Sequence, residues 1–341
     1  MSAIWQHDRL YSIFRPYVDW CTRTCYSALE ISGRENIPDE GAIILAPNHC
    51  NTLMDALVVL QAFKGPSAYG ARADIFRKPK VASLLRFLRI LPLARQRDGR
   101  NAVAGNDEVF DEVVDCLDHG VPFCMFSEGT HRTKHSLQPL KKGIFRIATR
   151  AAGRLDKPVY IVPVGLDYDD YFRLMKQARV SFGEPIRVYA DSDQHEVLDT
   201  LYKRISGLIT FFPDDENYDK AWEAYRKSRE KKYSAFSQVM RILAAVLTLP
   251  FFIISALLCC PMWIAAAILG GKLKDKAWLN TVRYCTKFAL LPVVALLVGI
   301  PAFILLPWYW ALAVLFMLLI SHSMFYYLQG WYFDIINSLK K

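Results

Sequence analysis

The sequence predicts an α/β domain, with a mostly parallel or mixed sheet flanked by helices, followed by an α-helical membrane region. Short apolar runs alternate with helical patterns through the first two thirds of the 341 residues, as in layered α/β folds. Two later stretches, residues 242–271 and 288–333, contain no Asp, Glu, Lys or Arg. Both exceed the roughly 20 apolar residues that are needed to cross a bilayer.

Individual elements follow from local patterns. Residues 4–20 mix aromatic residues with Arg and Asp, so residues 1–30 are expected to form an amphipathic or interfacial helix, with packing on the protein's own core as the alternative. Residues 31–213 form the α/β domain and residues 214–240 a charged connecting helix, centred on 217–233. The remaining residues, 241–341, form the membrane region. Within the α/β domain we expect buried strands at 42–46, 122–126 and 159–164, and helices at 55–63, 106–117 and 143–152.

Composition excludes several classes of protein. With 53% hydrophobic and 22% charged residues, the chain is neither disordered nor collagen-like. Residues 235–341 carry +6 of the net charge of +9, and these basic residues flank apolar stretches, where they attract anionic lipid headgroups. A lipid bilayer is therefore the predicted partner, and nucleic acid is not. The eight cysteines form no paired C-x-x-C motifs, which favours reduced thiols in a cytosol-facing protein.

The arrangement of the membrane region can be predicted from its charges. The basic loop 271–287 and the terminal Lys340 and Lys341 belong on the cytosolic side by the positive-inside rule. Both apolar stretches then enter and leave on one face. This favours two hairpins, turning near Pro261 and within residues 301–307, over three simple crossings. We therefore expect an integral membrane protein whose α/β domain lies on the cytoplasmic face.

The first candidate site segment is residues 46–55. His49 follows a predicted strand, and Asp55 falls in the first turn of the next helix, with Asn51 or Thr52 as its cap. Two residues six apart on one helix diverge by roughly 120°, so His49 must lie in the loop before the helix. There, a carboxylate can hold one imidazole nitrogen and leave the other as a general base. A structural role is the alternative for this pair taken alone.

Three more segments follow predicted strands, where α/β sheets build their sites. In residues 90–98, Arg95 and Arg97 offer planar donors for a phosphate, although each could be a surface charge. In residues 126–143, Gly129 permits close backbone approach. In residues 161–165, Pro163 suits an edge strand or a strand end.

A pair of histidines raises the question of a metal. His131 and His135 have an i, i+4 spacing that could bind a metal ion on a helix. No nearby acidic ligand completes such a site, and the following residues have the composition of a loop. We expect both side chains to be solvated and no metal to be bound.

Taken together and in this order, the four segments resemble the glycerolipid acyltransferase superfamily of glycerol-3-phosphate and lysophosphatidate acyltransferases, over roughly residues 31–185. The matching residues are Asn48, His49, Asp55, Arg95, Phe126, Glu128, Gly129, Thr130, Val162 and Pro163. Two departures stand out. Five residues rather than four separate His49 from Asp55, and Ser127 replaces the usual Pro. The longer spacing, with Asn51 two residues after the histidine, resembles the fungal-type glycerol-3-phosphate/dihydroxyacetone-phosphate acyltransferase branch.

The resemblance implies a membrane-bound enzyme that transfers an acyl chain from acyl-CoA or acyl-carrier protein to glycerol 3-phosphate in phosphatidic acid biosynthesis, without a cofactor. His49 and Asp55 would be catalytic. The substrate-binding residues would be Arg95, Arg97, Glu128, Gly129, Thr130 and Lys142, and Asn48, Asn51, Val162 and Pro163 would complete the motifs.

Two alternatives remain open at this point. The same site could acylate lysophosphatidate or another lysolipid. The altered His49–Asp55 spacing could instead have disabled the base and left a catalytically silent membrane scaffold. Cys50 adjoins the base, but sequence neighbours usually point apart, so no acyl-cysteine intermediate is expected.

Overall fold

A computed structural model describes residues 3–6, 8–95, 98–99, 105–230 and 232–340. Its contacts divide the chain into two compact units, each assembled from separate segments. The first, here called the sheet unit, comprises the described parts of residues 3–19, 30–167 and 178–217. The second, here called the helical unit, comprises residues 20–29, 168–177 and the described part of 218–340. The predicted α/β domain therefore contributes a short internal segment to the helical unit.

The described elements are numbered in chain order. The helices are α1 (Arg9–Arg23), α2 (Leu53–Phe63), α3 (Pro79–Phe87), α4 (Asn106–Asp118), α5 (Gly143–Ala152), α6 (Gln194–Leu208), α7 (Tyr218–Ser228), α8 (Ala235–Leu258), α9 (Cys260–Gly271), α10 (Leu279–Leu305) and α11 (Trp308–Leu339). The strands are β1 (Leu29–Ser32), β2 (Ala42–Pro47), β3 (Ala68–Arg72), β4 (Ile90–Leu93), β5 (Phe123–Cys124), β6 (Val159–Tyr168), β7 (Ala178–Phe182) and β8 (Ile186–Val188).

The strands form one mixed sheet in the order β1-β7-β6-β2-β5-β3-β4, with β8 pairing to β6. Strand β2 is parallel to β5 and β6, β3 is parallel to β4 and β5, and β8 is antiparallel to β6. Every residue of β2 is buried, as expected for an apolar run at the centre of a sheet covered on both faces. The predicted fold class is confirmed.

Parallel pairing aligns the strand ends that build the site. In the β2–β5 ladder, Leu45 pairs with Cys124, so the two strands end side by side and the loops that follow them begin as neighbours. Strand β4 ends at the same edge of the sheet but lies three positions from β2. At about 4.8 Å per strand, this offset is roughly 14 Å.

Most predicted elements occur close to their expected bounds. Strands 42–46 and 159–164 lie within β2 and β6, and α5 matches the predicted helix 143–152. The expected helices 55–63 and 106–117 lie within α2 and α4, whereas strand 122–126 shortens to the two residues of β5. Strands β1, β3, β4, β7 and β8 have three to five residues each, too short for their patterns to stand out.

Pro163 corrects one expectation. Rather than at an edge or a strand end, it lies inside β6, between β2 and the strands β7 and β8. The ladder to β8 extends only to Ile161, and the Pro163 carbonyl accepts from the Gly183 amide, just after β7. The edge of β6 that faces away from β2 changes its partner strand from β8 to β7 at this point. The N–H that Pro163 lacks would lie on that edge, so a proline is tolerated here inside the strand.

The helical unit contains the apolar stretches. Three helical segments in the described chain are long and apolar enough to cross a membrane: Ala235–Leu258, Lys276–Leu305 and Trp308–Leu339. Helix α9 has 12 residues, about 18 Å, which is too short for a roughly 30 Å hydrocarbon layer. The break between α8 and α9 falls at Cys259, close to Pro261. The break between α10 and α11 falls at Leu306 and Pro307, whereas Pro301 lies within α10.

Lys287 was expected to close the basic loop, but it lies inside α10 and is fully buried. Its Nζ is 2.5 Å from the Thr24 Oγ1 and 3.3 Å from the Cys21 carbonyl, and it lies 5.0 Å from the centre of the Trp20 ring. The end of α1 thus supplies oxygens, an aromatic face and the negative end of a helix dipole. These groups stabilise a cation that the sequence pattern assigned to a loop.

Candidate active site

The centre of the site is the pair of His49 and Asp55. The His49 Nδ1 lies 2.8 Å from the Asp55 Oδ2. The carboxylate is fully buried, whereas the imidazole side chain is 18% exposed. An ionised carboxylate can only accept hydrogen bonds, so this contact assigns the proton to Nδ1 and leaves the Nε2 lone pair for a substrate.

The five-residue spacing does not separate the pair, because of the local backbone. His49 lies in the loop after β2, and Asp55 is the third residue of α2, as predicted. Thr52 is the N-cap residue of α2, and its φ is 50°. This backbone conformation is unusual for a β-branched residue, and it turns the chain from the loop into the helix. The Asp55 Oδ2 also accepts from the backbone N–H groups of Cys50 and Asn51, at 2.8 and 2.7 Å.

Cys50 is held in the interior rather than presented to a substrate. It is buried, and its thiol lies 3.7 Å from the Asp55 Oδ1. Burial, followed by the negative charges of Asp55 and Glu128, raises the pKa of the Cys50 thiol well above its ordinary value. A thiol held in its neutral form is a poor nucleophile, which agrees with the expectation of no acyl-cysteine intermediate.

Asn48 fixes the end of β2. Its side-chain amide donates to the Leu166 carbonyl at 3.0 Å, and its Oδ1 accepts from the Leu166 N–H at 2.7 Å. This two-way contact ties the start of the catalytic loop to β6. Val162 lies upstream in the same ladder, buried and paired with Leu45. The two motif residues therefore set the position of His49 through the sheet.

Glu128 clamps the catalytic loop from the neighbouring strand end. Its Oε1 accepts from the His49 N–H at 2.6 Å, and its Oε2 accepts from the Gln138 N–H at 2.8 Å. Burial raises the pKa of Glu128, although these backbone donors oppose the shift. Both carboxylate oxygens already have partners within the protein, so the geometry favours a positioning role over direct acceptor contact.

The rest of this loop surrounds the imidazole. The Phe126 ring stacks on His49 with centroids 4.3 Å apart, and the His131 ring meets it edge-on at 5.7 Å. Gly129 has a φ of 75°, a left-handed conformation that favours glycine. Thr130 is exposed, and its carbonyl accepts from the Gln138 side chain at 2.7 Å. Lys142 is exposed as well, at the N-cap of α5.

Arg95 follows β4 at the same sheet edge. Its Nη2 lies 3.4 Å from the Asp98 Oδ1, and the Asp98 Oδ2 accepts from the Arg95 N–H at 2.7 Å. The Arg95 Nη1 is buried with no hydrogen-bond partner in the described chain. A buried guanidinium N–H without an acceptor fits an anionic ligand. Arg97, its predicted companion, lies outside the described residues.

His135 corrects the expectation of solvated histidines. It is buried, and its Nδ1 lies 3.4 Å from the Asp167 Oδ1. Although burial alone would raise it, hydrogen bonds from His135, Thr210 and Arg179 lower the pKa of Asp167 to about 2. Asp167 immediately follows the Asn48 partner Leu166 in β6, so it ties the loop containing His131 to the strand that anchors the catalytic loop. This long-range pair had no signal in the sequence.

Two further polar side chains beside the base lack partners. The Asn51 amide and the Ser127 hydroxyl are both buried, and neither has a hydrogen-bond partner among the residues that the structure describes. Buried polar groups normally find partners, in protein, in water or in a ligand. Both side chains are therefore available to a water molecule or a substrate. The sequence assigned Asn51 to the motif without a ligand role.

A histidine paired with a buried carboxylate therefore lies at the carboxyl edge of a mixed sheet, and Glu128 of the neighbouring Glu-Gly-Thr loop holds its backbone. Residues 28–167 match the family model Acyltransferase, so this part of the chain is similar to acyltransferase domains.

Two known proteins illustrate the similarity. Glycerol-3-phosphate O-acyltransferase 2 of Saccharomyces cerevisiae is 31% identical over 122 residues, which cover 33% of this chain and 16% of that protein. The crystal structure of the 1-acyl-sn-glycerophosphate acyltransferase PlsC from Thermotoga maritima aligns with a TM-score of 0.45 at 20% identity, covering 67% of this chain and 86% of that one. The match to the yeast protein thus spans about a sixth of its length.

Proposed function

We propose that this acyltransferase moves an acyl chain from a thioester, acyl-CoA or acyl-carrier protein, to a hydroxyl of glycerol 3-phosphate. The observation that carries the proposal is the 2.8 Å contact between the His49 Nδ1 and the Asp55 Oδ2. It provides an oriented base of the kind that a weak hydroxyl nucleophile requires.

The reaction then proceeds without a covalent enzyme intermediate. The His49 Nε2 takes the hydroxyl proton as the oxygen attacks the thioester carbonyl, forming the C–O bond. The tetrahedral intermediate collapses, the C–S bond breaks, and the thiolate leaves and takes up the proton from the imidazolium. Asp55 stabilises the imidazolium while the proton is held there. The orphaned Asn51 amide is a candidate donor to the substrate in this step.

Arg95 is our candidate for the acceptor phosphate. The unpartnered Nη1 and the position at the same sheet edge as His49 support this role. Arg97 is a second candidate from its sequence position alone.

The two alternatives can be weighed against the site. The silent-scaffold alternative depended on a broken His49–Asp55 contact, and the short distance between these side chains favours catalysis instead. Glycerol 3-phosphate is preferred as acceptor because the matched yeast relative is a glycerol-3-phosphate O-acyltransferase. Acylation of lysophosphatidate by the same residues is the second candidate.

We further propose that the chain is anchored by two membrane hairpins, the first of them re-entrant because α9 is too short to cross, with its basic segments on the cytoplasmic side. The start of α8 meets the end of α11, since the Gln238 Nε2 donates to the Ser338 Oγ at 3.0 Å. Near the start of α10, Asn280 donates to the Tyr171 carbonyl at 2.9 Å. Two residues further along the same segment, Arg173 pairs with Asp334 of α11. These contacts within the helical unit support placing residues 272–278 and Lys340 on one side; Lys341 lies outside the described residues.

The reaction is tested by product identity. Purified full-length protein is incubated with labelled acyl-CoA or acyl-carrier protein and with glycerol 3-phosphate, lysophosphatidate or lysophosphatidylcholine, and the labelled lipid is identified. We expect lysophosphatidate to form from glycerol 3-phosphate. His49→Gln keeps the size and polarity of the side chain but removes the base, and should lower the rate by about 10² to 10⁴. Transfer only to a lysolipid would replace the acceptor, and no transfer to any acceptor would restore the scaffold alternative.

A further inference from the structure

A cavity in the helical unit is separate from the acyltransferase site. It has a volume of about 290 Å³ and lies among α9, the turn before α10, and α11. One part of its wall is apolar and aromatic, and another is polar and basic. The lining residues that matter here are Trp263, Ala266 and Phe325 on the apolar side and Lys276, Arg283 and Gln329 on the polar side.

The basic side of the cavity contains cations whose partners are neutral groups. The Arg283 Nη1 donates to the Phe172 carbonyl and, at 3.0 Å, to the Asn280 Oδ1, and the guanidinium lies 5.3 Å from the centre of the Tyr326 ring. The Tyr326 side chain also hydrogen-bonds to this guanidinium, so neutral groups hold Arg283 in place beside the cavity. Over the residues with described positions, no carboxylate forms an ion pair with Arg283 or Lys276. None of the lining residues is acidic. Two cations that line one cavity and form no ion pair with a described carboxylate favour an anionic ligand.

The apolar side identifies the kind of anion. Small residues of α9 leave room beside aromatic rings, and the Trp263 and Phe325 rings stack with centroids 5.7 Å apart. The α10 and α11 segments that form the wall belong to helices long and apolar enough to cross a membrane. A free phosphate would use only the cations, whereas a phospholipid uses both sides. The volume lies near the lower end of ligand pockets, about 300 to 1,000 Å³, which suits a headgroup and the start of its chains.

We propose that this cavity binds one anionic phospholipid, with the headgroup phosphate held by Arg283 and Lys276 and the first part of an acyl chain against Trp263 and Phe325. Basic pockets between membrane helices are suited to such headgroups. The proposal does not depend on which acceptor the acyltransferase site uses.

The test uses the full chain in a non-ionic detergent, titrated with dioleoyl phosphatidylglycerol and followed by native mass spectrometry. This lipid carries an anionic phosphodiester, and it is neither the proposed acceptor nor the proposed product of the active site. Phosphatidylcholine with the same acyl chains tests whether binding requires a net negative charge on the headgroup. Inorganic phosphate tests whether binding requires an acyl chain. We expect phosphatidylglycerol to bind at least about tenfold more tightly than phosphatidylcholine, from the attraction of two cations.

The double variant K276Q/R283Q should lose roughly thirtyfold in affinity for phosphatidylglycerol. The matched control K272Q/K274Q removes the same charge from exposed lysines of the same segment that do not line the cavity. It should change the affinity by less than about threefold. Because Arg283 also supports Phe172 and Asn280, K276Q alone and the cavity-filling Ala267→Trp are measured as well. Ala267 is exposed, so the larger side chain should leave the fold intact, as checked by thermal unfolding without lipid.

The outcomes separate the alternatives. Selective loss in K276Q/R283Q, K276Q and A267W supports the site. Equal loss in the two double variants would mean general surface attraction and would overturn it. Inorganic phosphate displacing the lipid at the same concentration would replace the lipid with a free anion, and equal binding of phosphatidylcholine would remove the role of the cations.

Discussion

The Asp55→Asn substitution tests the proposed mechanism most directly. The Asp55 Oδ2 accepts three hydrogen bonds, from the His49 Nδ1 and from the N–H groups of Cys50 and Asn51. An asparagine oxygen at the same place can still accept from these donors, so the loop and the histidine tautomer can persist. What the substitution removes is the negative charge opposite the imidazolium that forms during proton transfer.

The size of the effect follows from the geometry. At a charge separation of about 4 Å and an effective dielectric constant of about 20, the carboxylate stabilises an imidazolium by about 4 kcal/mol. The buried carboxylate and the short contact place the pair in this regime rather than in bulk water. Loss of about 4 kcal/mol from the transition state corresponds to a fall in kcat of about 10³-fold. The KM values should change little, because neither substrate is charged where the imidazolium forms.

The assay is steady-state acyl transfer at saturating thioester and acceptor, with thermal unfolding as the control for the fold. If both residues act as one unit, the double variant H49Q/D55N should be no slower than H49Q. The reasoning would be refuted by a D55N enzyme within threefold of the wild-type kcat, or by a double variant in which the two losses multiply.

Three other substitutions test neighbouring parts of the site. Arg95→Ala removes a charge-assisted hydrogen bond, so it should raise the KM for the acceptor about tenfold or more and change the KM for the thioester by less. The opposite pattern would assign Arg95 to the acyl donor. Glu128→Gln leaves one backbone N–H facing an amide NH₂, which should cost about 1 to 3 kcal/mol in unfolding free energy and lower kcat more than either KM; an unchanged kcat would end the positioning role. Asp167→Asn should cost about 2 kcal/mol at pH 7, because the pKa of Asp167 is lowered to about 2 from an ordinary value near 3.9. A lowered carboxyl pKa stabilises the fold above pH 4 and loses this effect as the pH falls towards 2. The variant should therefore show a flatter pH dependence of unfolding there, and identical profiles would contradict the lowered pKa of Asp167.

The sequence could predict the central features because they depend on local patterns. Apolar runs that are buried on both faces predicted β2 and β6, and helical periodicity predicted α5 to the residue. Helix-capping rules placed Asp55 in the first turn of α2, and the angle between residues six apart on a helix placed His49 in the loop before it. The absence of charge over long stretches predicted the long apolar helices without any knowledge of their packing.

Other features depended on contacts between distant residues. His49 can still contact Asp55 across five intervening residues. This contact depends on the positive φ of Thr52 and on two backbone N–H groups that bind the carboxylate, and the spacing of the two residues in the sequence predicts neither feature. The role of Glu128 depended on β5 ending beside β2. The interior position of Pro163 depended on a change of partner strand, and burial of His135 depended on Asp167, 32 residues later in the chain.

One physical cause separates the features that the sequence predicts from those that depend on the tertiary structure. Burial, periodicity and capping are properties of a segment and its solvent, so the sequence by itself determined the fold class, the long apolar helices and the identity of the His49–Asp55 pair. Hydrogen bonds such as those of Lys287 with the end of α1, and of Glu128 with the His49 amide, join groups far apart in sequence. Their free energy depends on distances and on burial that exist only after the chain has folded, and so only the tertiary structure decided them.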